Sequence, residues 1–382
     1  LLLVTCVWVL GEWSRSWFLT GFPWLYLGYS QLSTPLSGWA PLLGIFGVSL
    51  AVLLSGSLAL WALLSRRKSS LMVASLLLTG LWLGGEQLKN VSWTQPAGEP
   101  KQVALIQANI PQDKKWQPSY LETTLERYRR LSNEAWGADW LIWPEAAIPL
   151  LYHQALSILE EAHATALAHD SALITGILYD DPLSGQYHNS SLGLGLASGL
   201  YHKTRLVPFG EYVPLEQWLR GIIDFFNLPA SFISPGQPQQ APLQIGPTRL
   251  ASAICYEVVY PDLVAQMAKN TEVILTISND AWFGASWGPL QHLQMAQMRA
   301  LETGRYVIRG TNNGVSAIIN NRGELLASSE QFVQQVLIGQ VQPYKGETPF
   351  MRWGSNSTLL CLMLLVVICT AYRDTRLLAR PH

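Results

Sequence analysis

Residues 250–277 read LASAICYEVVYPDLVAQMAKNTEVILTI, and this stretch sets the fold class. Residues 250–254 are an apolar run of strand length, 261–269 have helical spacing, and 273–277 are again an apolar run. Strand, helix and strand in succession belong to α/β layered domains. The alternation extends both ways. Upstream, residues 103–108 (VALIQA), 140–143, 172–178 and 190–197 predict strands, the last as a hairpin arm, with helices over 120–136 and 155–168. Downstream, a helix over 289–303 precedes strands at 307–309, 315–319 and 325–327. Residues 231–242, with Pro235, Gly236, Pro238 and Pro242, read as a loop.

Around this body the chain changes character. Of its 382 residues, 49% are hydrophobic and only 13% charged, against about 25% charged in a soluble domain. That balance excludes a disordered chain and argues against a wholly soluble one. Residues 91–352 hold 17 basic and 23 acidic residues, net −6, whereas the flanks hold 8 basic and 3 acidic, net +5. A water-soluble body between apolar, basic-flanked segments fits both numbers. No basic stripe runs through the soluble part, so no nucleic-acid partner is expected. Cys6, Cys361 and Cys369 lie in apolar runs, which leaves Cys255 alone in the soluble block and excludes a disulfide framework there.

Residues 16–65 contain no charged side chain, and 40–64 are long enough to cross a hydrocarbon core of about 30 Å. Residues 69–85 and 355–372 are further apolar runs, and residues 1–10 look like the tail of another span. The chain opens on Leu1 rather than Met, from which an upstream part of the membrane region is expected to be missing. We therefore expect transmembrane helices with an aromatic interfacial loop over 1–90, a soluble block over 91–352, and a last helix with a short basic tail over 353–382. Arg66, Arg67 and Lys68 between two spans, and Arg373, Arg376 and Arg380 after the last, belong on the cytoplasmic side by the positive-inside rule. The soluble block then faces the other side, which in a bacterium is the periplasm. Trp17, Phe18, Phe22, Trp24, Tyr26 and Tyr29, in WFLTGFPWLYLGYS (17–30), suit a membrane–water interface.

Three polar residues follow predicted strands. Glu145 comes after Trp143 and Pro144, at a strand end where open α/β sheets place ligands. Its neighbours Trp143, Ala146, Ala147 and Ile148 should partly desolvate it and raise its pKa toward a general-base range. An acid capping the next segment fits the same residue equally well. Lys203 lies in YHKTRLVPFGEYVP (201–214) after the small-residue run 193–200. Such a lysine can stabilise an oxyanion and lower a neighbouring thiol's pKa, although by composition alone a solvated lysine is the commoner reading. Glu211, eight residues on, orients that lysine or an incoming amine, or simply sits in a turn. Cys255 leaves its strand into a turn, as an exposed nucleophile does, while a small buried hydrophobe is the usual fate of a free cysteine. The set of acid, lysine and cysteine, each just after a strand, favours chemistry. The histidines show no HExxH spacing and no CxxC, Walker, GxGxxG or GxSxG pattern is present, so no metal and no cofactor is expected. A Cys–His pair through His202 or His292 stays open on spacing.

WPEAAIP (143–149), YHKTRLVPFGEYVPLE (201–216), ICYEVVYPD (254–262) and TISNDAWFG (276–284) resemble the apolipoprotein N-acyltransferases, the membrane-anchored branch of the nitrilase (carbon–nitrogen hydrolase) superfamily. The likeness runs from GFPWLYLGYSQ (21–31) to the last span, and family members carry further transmembrane helices ahead of the position where this chain begins. It implies a nitrilase-like α/β domain, an αββα sandwich, inserted between transmembrane α-helices. It implies a Glu–Lys–Cys triad at Glu145, Lys203 and Cys255, with Glu211 as a second essential glutamate and Tyr256 and Glu257 beside the nucleophile. Trp116, in NIPQDKKW (109–116), and Trp282 are similar to the family's loop aromatics near the site. The implied reaction is two-step acyl transfer at the periplasmic face of the bacterial inner membrane, with neither cofactor nor metal. The donor is a phospholipid, typically phosphatidylethanolamine, and the carrier a thioester on Cys255. The acceptor is the α-amine of the diacylglyceryl-cysteine that opens an apolipoprotein. On this resemblance residues 17–30 read as a lipid-facing wall beside the site. A membrane-tethered amidase or nitrilase would share the triad but pass the acyl group to water, so shielding by Trp116, Trp282 and Phe283 separates the two. A lipoprotein-binding scaffold would need no nucleophile.

Overall fold

The computed structural model describes residues 1–212 and 233–378. The end of the 201–216 motif, the first two residues of the 231–242 loop and Arg380 lie outside the described residues. Strands run in order β1 (Gln95–Pro96), β2 (Lys101–Gln107), β3 (Trp140–Ile142), β4 (Ala172–Asp180), β5 (Tyr187–Gly195), β6 (Ala197–Ser198) and β7 (Leu200–His202). They continue as β8 (Leu243–Ile245), β9 (Thr248–Ser252), β10 (Val273–Ser278), β11 (Tyr306–Thr311), β12 (Ala317–Ile319), β13 (Leu325–Ser328), β14 (Gln335–Val341) and β15 (Tyr344–Lys345).

Two sheets form the body. One has the order β14-β2-β3-β4-β5-β7 and the other β13-β12-β11-β10-β9-β8-β6. The centre of each is parallel: β2, β3 and β4 in the first, β9, β10 and β11 in the second. Strands of this kind are covered on both faces and so are apolar throughout. In β2, Val103 and Leu105 enter the core between the sheets with Ile142, Leu250, Leu275, Ile277 and Ile308. Ala104 and Ile106 point the other way, against Leu125, Tyr128 and Leu131 of helix Leu121–Asn133 and Leu159 and Ala166 of helix Leu156–Ala168. On the far side, Ala251, Ile274 and Val307 pack with Val264 and Ala265 of helix Pro261–Ala268 and Leu293, Met295 and Ala296 of helix Gly288–Thr303. The layers are helix, sheet, sheet, helix, as the αββα expectation requires.

Among the described residues two helices are long and apolar enough to cross a membrane, Pro35–Ser65 and Lys68–Lys89, and Leu2–Ser14 and Asn356–Tyr372 are shorter apolar helices. Arg66, in left-handed backbone (φ 51°), reverses the chain between the two long ones. The first is broken at Gly44 (φ 67°), where a Cβ would run into the Phe350 ring. The break frees the Ile45 amide, which donates to Glu302 Oε1 at 2.7 Å, and Glu302 also pairs with Arg299 at 2.7 Å. Burial pushes the Glu302 carboxyl up to about 7.

The aromatic loop departs from expectation. Trp17, Phe18 and Phe22 are exposed, but Trp24, Tyr26 and Tyr29 are buried. Tyr26 stacks on Tyr29 with centroids 5.9 Å apart and leans on Phe46 at 5.2 Å. These three fill a core that runs from Cys6 and Phe46 into Met295 and Phe350. The apolar N-terminal helices and the outer helical layer of the sandwich therefore share one interior. Only half of the six aromatics remain free to meet an interface.

Candidate active site

The C-terminal ends of the parallel strands in both sheets converge, and open α/β folds place ligands at such edges. Glu145 follows β3. Trp143 continues the parallel ladder through its amide on Ile174 O (2.8 Å), and Ala147 N donates to Gly176 O (3.0 Å). Between them Ala146 takes a positive φ of 44°. The strap requires a glycine on β4, because a Cβ at Gly176 would stand 2.5 Å from Ala146 N and 2.7 Å from Glu145 Cα.

The carboxylate so placed is 7% exposed and fully engaged. Its Oε1 accepts Asn189 Nδ2 at 2.7 Å and Lys203 Nζ at 3.4 Å, and its Oε2 accepts the Asn279 amide at 2.8 Å. Lys203, just past β7 and 1% exposed, also donates to Glu211 at 2.9 Å. Asn189 Nδ2 spans both acids, reaching Glu211 Oε1 at 2.8 Å. Glu211 Oε2 accepts the Val207 amide at 2.8 Å, so the turn that carries Glu211 sets its carboxylate against the lysine.

Cys255 opens a short 3₁₀ turn, Cys255–Val259, with φ 51°. Left-handed backbone at a non-glycine residue is strained and recurs at functional sites. Glu257 holds this turn. One carboxylate oxygen accepts Ile254 N at 2.8 Å, and the other accepts Tyr201 Oη (2.9 Å), Thr204 N (2.7 Å), Thr204 Oγ1 (2.7 Å) and Arg205 N (3.1 Å). The cysteine turn and the segment after Lys203 are thereby one unit. Tyr256 is buried and donates its hydroxyl to Gly21 O at 3.2 Å, tying the same turn to the aromatic loop.

The electrostatics correct two expectations. Burial alone would raise the Glu145 pKa, but Lys203, Asn189, Lys115 and the Asn279 amide outweigh it, and the carboxyl lies below its ordinary value. Burial works against the Lys203 charge, yet Glu211 and Glu145 prevail and its pKa is raised. The Cys255 thiol is not lowered by its lysine. Burial, then Glu145, push it up, and Lys203 opposes them without winning. At rest the arrangement is a thiol, a carboxylate and an ammonium.

His292 does not supply a direct Cys–His pair in the expected sense: its Nε2 lies 3.1 Å from the Cys255 backbone oxygen. Its Nδ1 faces Asp280 Oδ1 and Arg309 Nη2, each at 3.1 Å, and Arg309 also reaches Asp280 Oδ2 at 2.6 Å. Burial, then Arg309, depress the His292 pKa, so the ring is neutral and Nε2–H donates to Cys255 O. Asp280 stays ionised despite burial, chiefly because of Arg309. His202 bonds Ser190 Oγ at 2.7 Å.

Trp116 and Trp282 do not enter the cluster. They are 46% and 65% exposed, yet each is carried by a segment that touches Glu145. Trp116 follows Lys115, whose Nζ donates to Glu145 O at 3.1 Å, and Trp282 lies three residues past Asn279. Phe283 is half-buried against Trp24, with centroids 5.6 Å apart. Sequence reasoning passed over Lys115, Asn189, Asn279, Asp280 and Arg309. Arg309 had a signal, a charge inside an apolar strand, and so did Asn279 and Asp280, polar residues straight after one. Among the described residues no group of three or more His, Cys, Asp or Glu side chains is placed to hold a metal ion.

Comparison with known proteins agrees with this architecture. Residues 102–349 match the carbon-nitrogen hydrolase family, and residues 1–58 match the apolipoprotein N-acyltransferase N-terminal domain. Among solved structures, Saccharomyces cerevisiae Nit3, a member of branch 10 of the nitrilase superfamily, is similar with a TM-score of 0.50 at 17% identity, over 66% of this chain and 93% of its own. The Caenorhabditis elegans NitFhit protein gives the same TM-score and identity over 64% and 61%. Fold and matched region together define a carbon–nitrogen hydrolase. Curated relatives narrow the class. Apolipoprotein N-acyltransferases of Pseudomonas putida (48% identical over 363 residues, 94% of this chain and 72% of the relative) and Vibrio vulnificus (41% over 366 residues, 93% and 71%) align along most of the length. The chain belongs to the apolipoprotein N-acyltransferase family.

Proposed function

We propose that this chain moves an acyl group from a phospholipid to the N-terminal α-amine of a diacylated apolipoprotein, with Cys255 as the carrier. Its family makes it an acyltransferase of lipoprotein maturation and a bacterial membrane protein. In our reading residues 1–90 and 353–382 form the membrane region, and residues 91–352 are the catalytic block on the periplasmic side, opposite Arg66, Arg67 and Lys68.

Glu145 takes the proton of the Cys255 thiol, and the thiolate attacks the ester carbonyl of the donor, phosphatidylethanolamine being our choice. Lys203 stabilises the tetrahedral oxyanion. Collapse breaks the ester C–O bond, the leaving alkoxide takes the proton from Glu145, and a lysophospholipid departs from a thioester. The acceptor amine then attacks the thioester and gives its proton to Glu145. The C–S bond breaks, the amide is left, and the proton returns to sulfur. Trp116 and Trp282 at the rim would keep water from the thioester.

The observation that carries this reading is the buried Glu145–Lys203–Glu211 network beside a protonated thiol in strained backbone. A base already ionised next to a nucleophile still holding its proton is the ground state that general-base activation needs. The test is intact mass of the detergent-purified protein after incubation with phosphatidylethanolamine. We expect a gain of one acyl group, absent in Cys255→Ala, released by a diacylated lipopeptide and slowly by water. Fast release by water alone would make the protein a hydrolase, and no adduct on a folded, lipid-bound protein would remove the acyl-enzyme.

A further inference from the structure

Glu145 is approached by two buried lysines. Lys203 takes a carboxylate oxygen. Lys115 comes from the helical turn Gln112–Lys115 after β2 and takes the main-chain carbonyl at 3.1 Å. Its side chain is 3% exposed. Among the described residues it has no ion-pair partner, unlike Lys203 with its two acids. A buried ammonium without a counter-ion is costly, and such groups concentrate at functional sites. The carbonyl it holds also precedes the left-handed Ala146, so the bond pins the peptide that aims the carboxylate. Outward, the ammonium lies 5.9 Å from the exposed Trp116 ring, which places Lys115 between the rim and the base.

We propose that Lys115 is a second positioning cation of the acyl-transfer site, pinning the main chain of Glu145 and holding positive charge near Cys255 as the thiolate forms. The inference rests on the acyl-enzyme reading above. The groups that bear on its charge are few. Its own turn carries Asp113 and Lys114, both exposed. Glu145 faces it from the end of β3 and Cys255 from the turn after β9, and both favour its charged form. Lys203 and Glu211 stand beyond Glu145, and Asp280, His292 and Arg309 beyond Cys255. Burial outweighs Glu145 and Cys255 and brings the Lys115 pKa down to about 8. Because that value is depressed, the charge is present below it and lost as pH rises through it.

Three variants of the detergent-purified protein separate the roles: Lys115→Arg keeps the charge, Lys115→Gln keeps a donor without charge, and Lys115→Met keeps neither. The readout is the rate of acyl gain from phosphatidylethanolamine in mixed micelles between pH 6 and about pH 9.5. We expect the unsubstituted protein to slow above about pH 8, Lys115→Arg to stay within about tenfold and lose that alkaline decline, and Lys115→Met and Lys115→Gln to run about 100-fold slower below about pH 8, with the gap narrowing above it. An alkaline decline that persists in Lys115→Arg and Lys115→Met overturns the proposal, as do rates within about twofold of the unsubstituted protein. If Lys115→Met fails to fold, the Arg and Gln variants decide. Cys255→Ala runs alongside: acyl gain there would sink the acyl-enzyme reading itself, whereas loss of gain with indifferent Lys115 variants would sink only this inference.

Discussion

At the residue scale the site is governed by a balance around Glu145. Burial favours its neutral form, and two lysines, an asparagine side chain and a backbone amide favour the anion and prevail. A carboxyl whose folded pKa is depressed is ionised above that pKa and neutralised only as pH falls through it. Formation of the acyl-enzyme should therefore show no acid limb from Glu145 between about pH 5 and neutrality. Overall transfer should show one, because the acceptor's α-amine, with an ordinary pKa of about 7.7–8.0, must lose a proton before it attacks. Single-turnover acylation and steady-state transfer, each followed from pH 5 to about pH 8, separate the two. An acid limb centred near pH 6 in acylation would assign the base to another group. Glu145→Gln and Lys203→Met should each slow acylation by about 1,000-fold. The sequence makes Glu145, Lys203 and Cys255 legible because each directly follows a strand and stands in a long motif. It hides Lys115, since the pair Lys114–Lys115 looks solvated and only the fold turns one of the two inward.

At the scale of elements, the contact between β4 and the loop after β3 decides how well the base is aimed. A methyl group at Gly176 would press on Glu145 Cα and Ala146 N, both backbone and unable to step aside. Gly176→Ala should leave the sandwich folded, at a cost of about 1–3 kcal/mol. It should slow acylation about 100-fold, since small misplacements at a reacting group cost that much. Melting temperature in detergent and single-turnover rate measure the two. A full-rate Gly176→Ala protein would show that the strap does not aim Glu145. The strand and helix pattern was readable wherever apolar runs were uninterrupted, as at β9, β10 and the helix between them. β14 was not, because Gln335, Gly339 and Gln340 dilute its alternation and its pairing with β2 is what makes it a strand. The burial of Trp24, Tyr26 and Tyr29 was equally hidden, since composition shows that a loop is aromatic and not which side of it finds a partner.

At the scale of the whole molecule, the shared interior means that the sandwich is not a detachable enzyme. Removing residues 1–90 would uncover the apolar face of Leu293, Met295, Ala296 and Phe350 that Tyr26, Tyr29, Ile45 and Phe46 now cover. Large uncovered apolar patches drive association. The excised block 91–352 should therefore aggregate or require detergent, and a monodisperse monomer on size-exclusion chromatography in plain buffer would contradict this. The hydrogen bond from Tyr256 to the Gly21 carbonyl carries a last consequence. It ties the Cys255 turn to the loop that carries the exposed Trp17, Phe18 and Phe22, so in the membrane reading proposed above the nucleophile keeps a fixed depth relative to those side chains. On that reading the search for either substrate is confined to two dimensions, and what governs the rate is how crowded the bilayer plane is with donor and acceptor, not how much of each the surrounding volume contains.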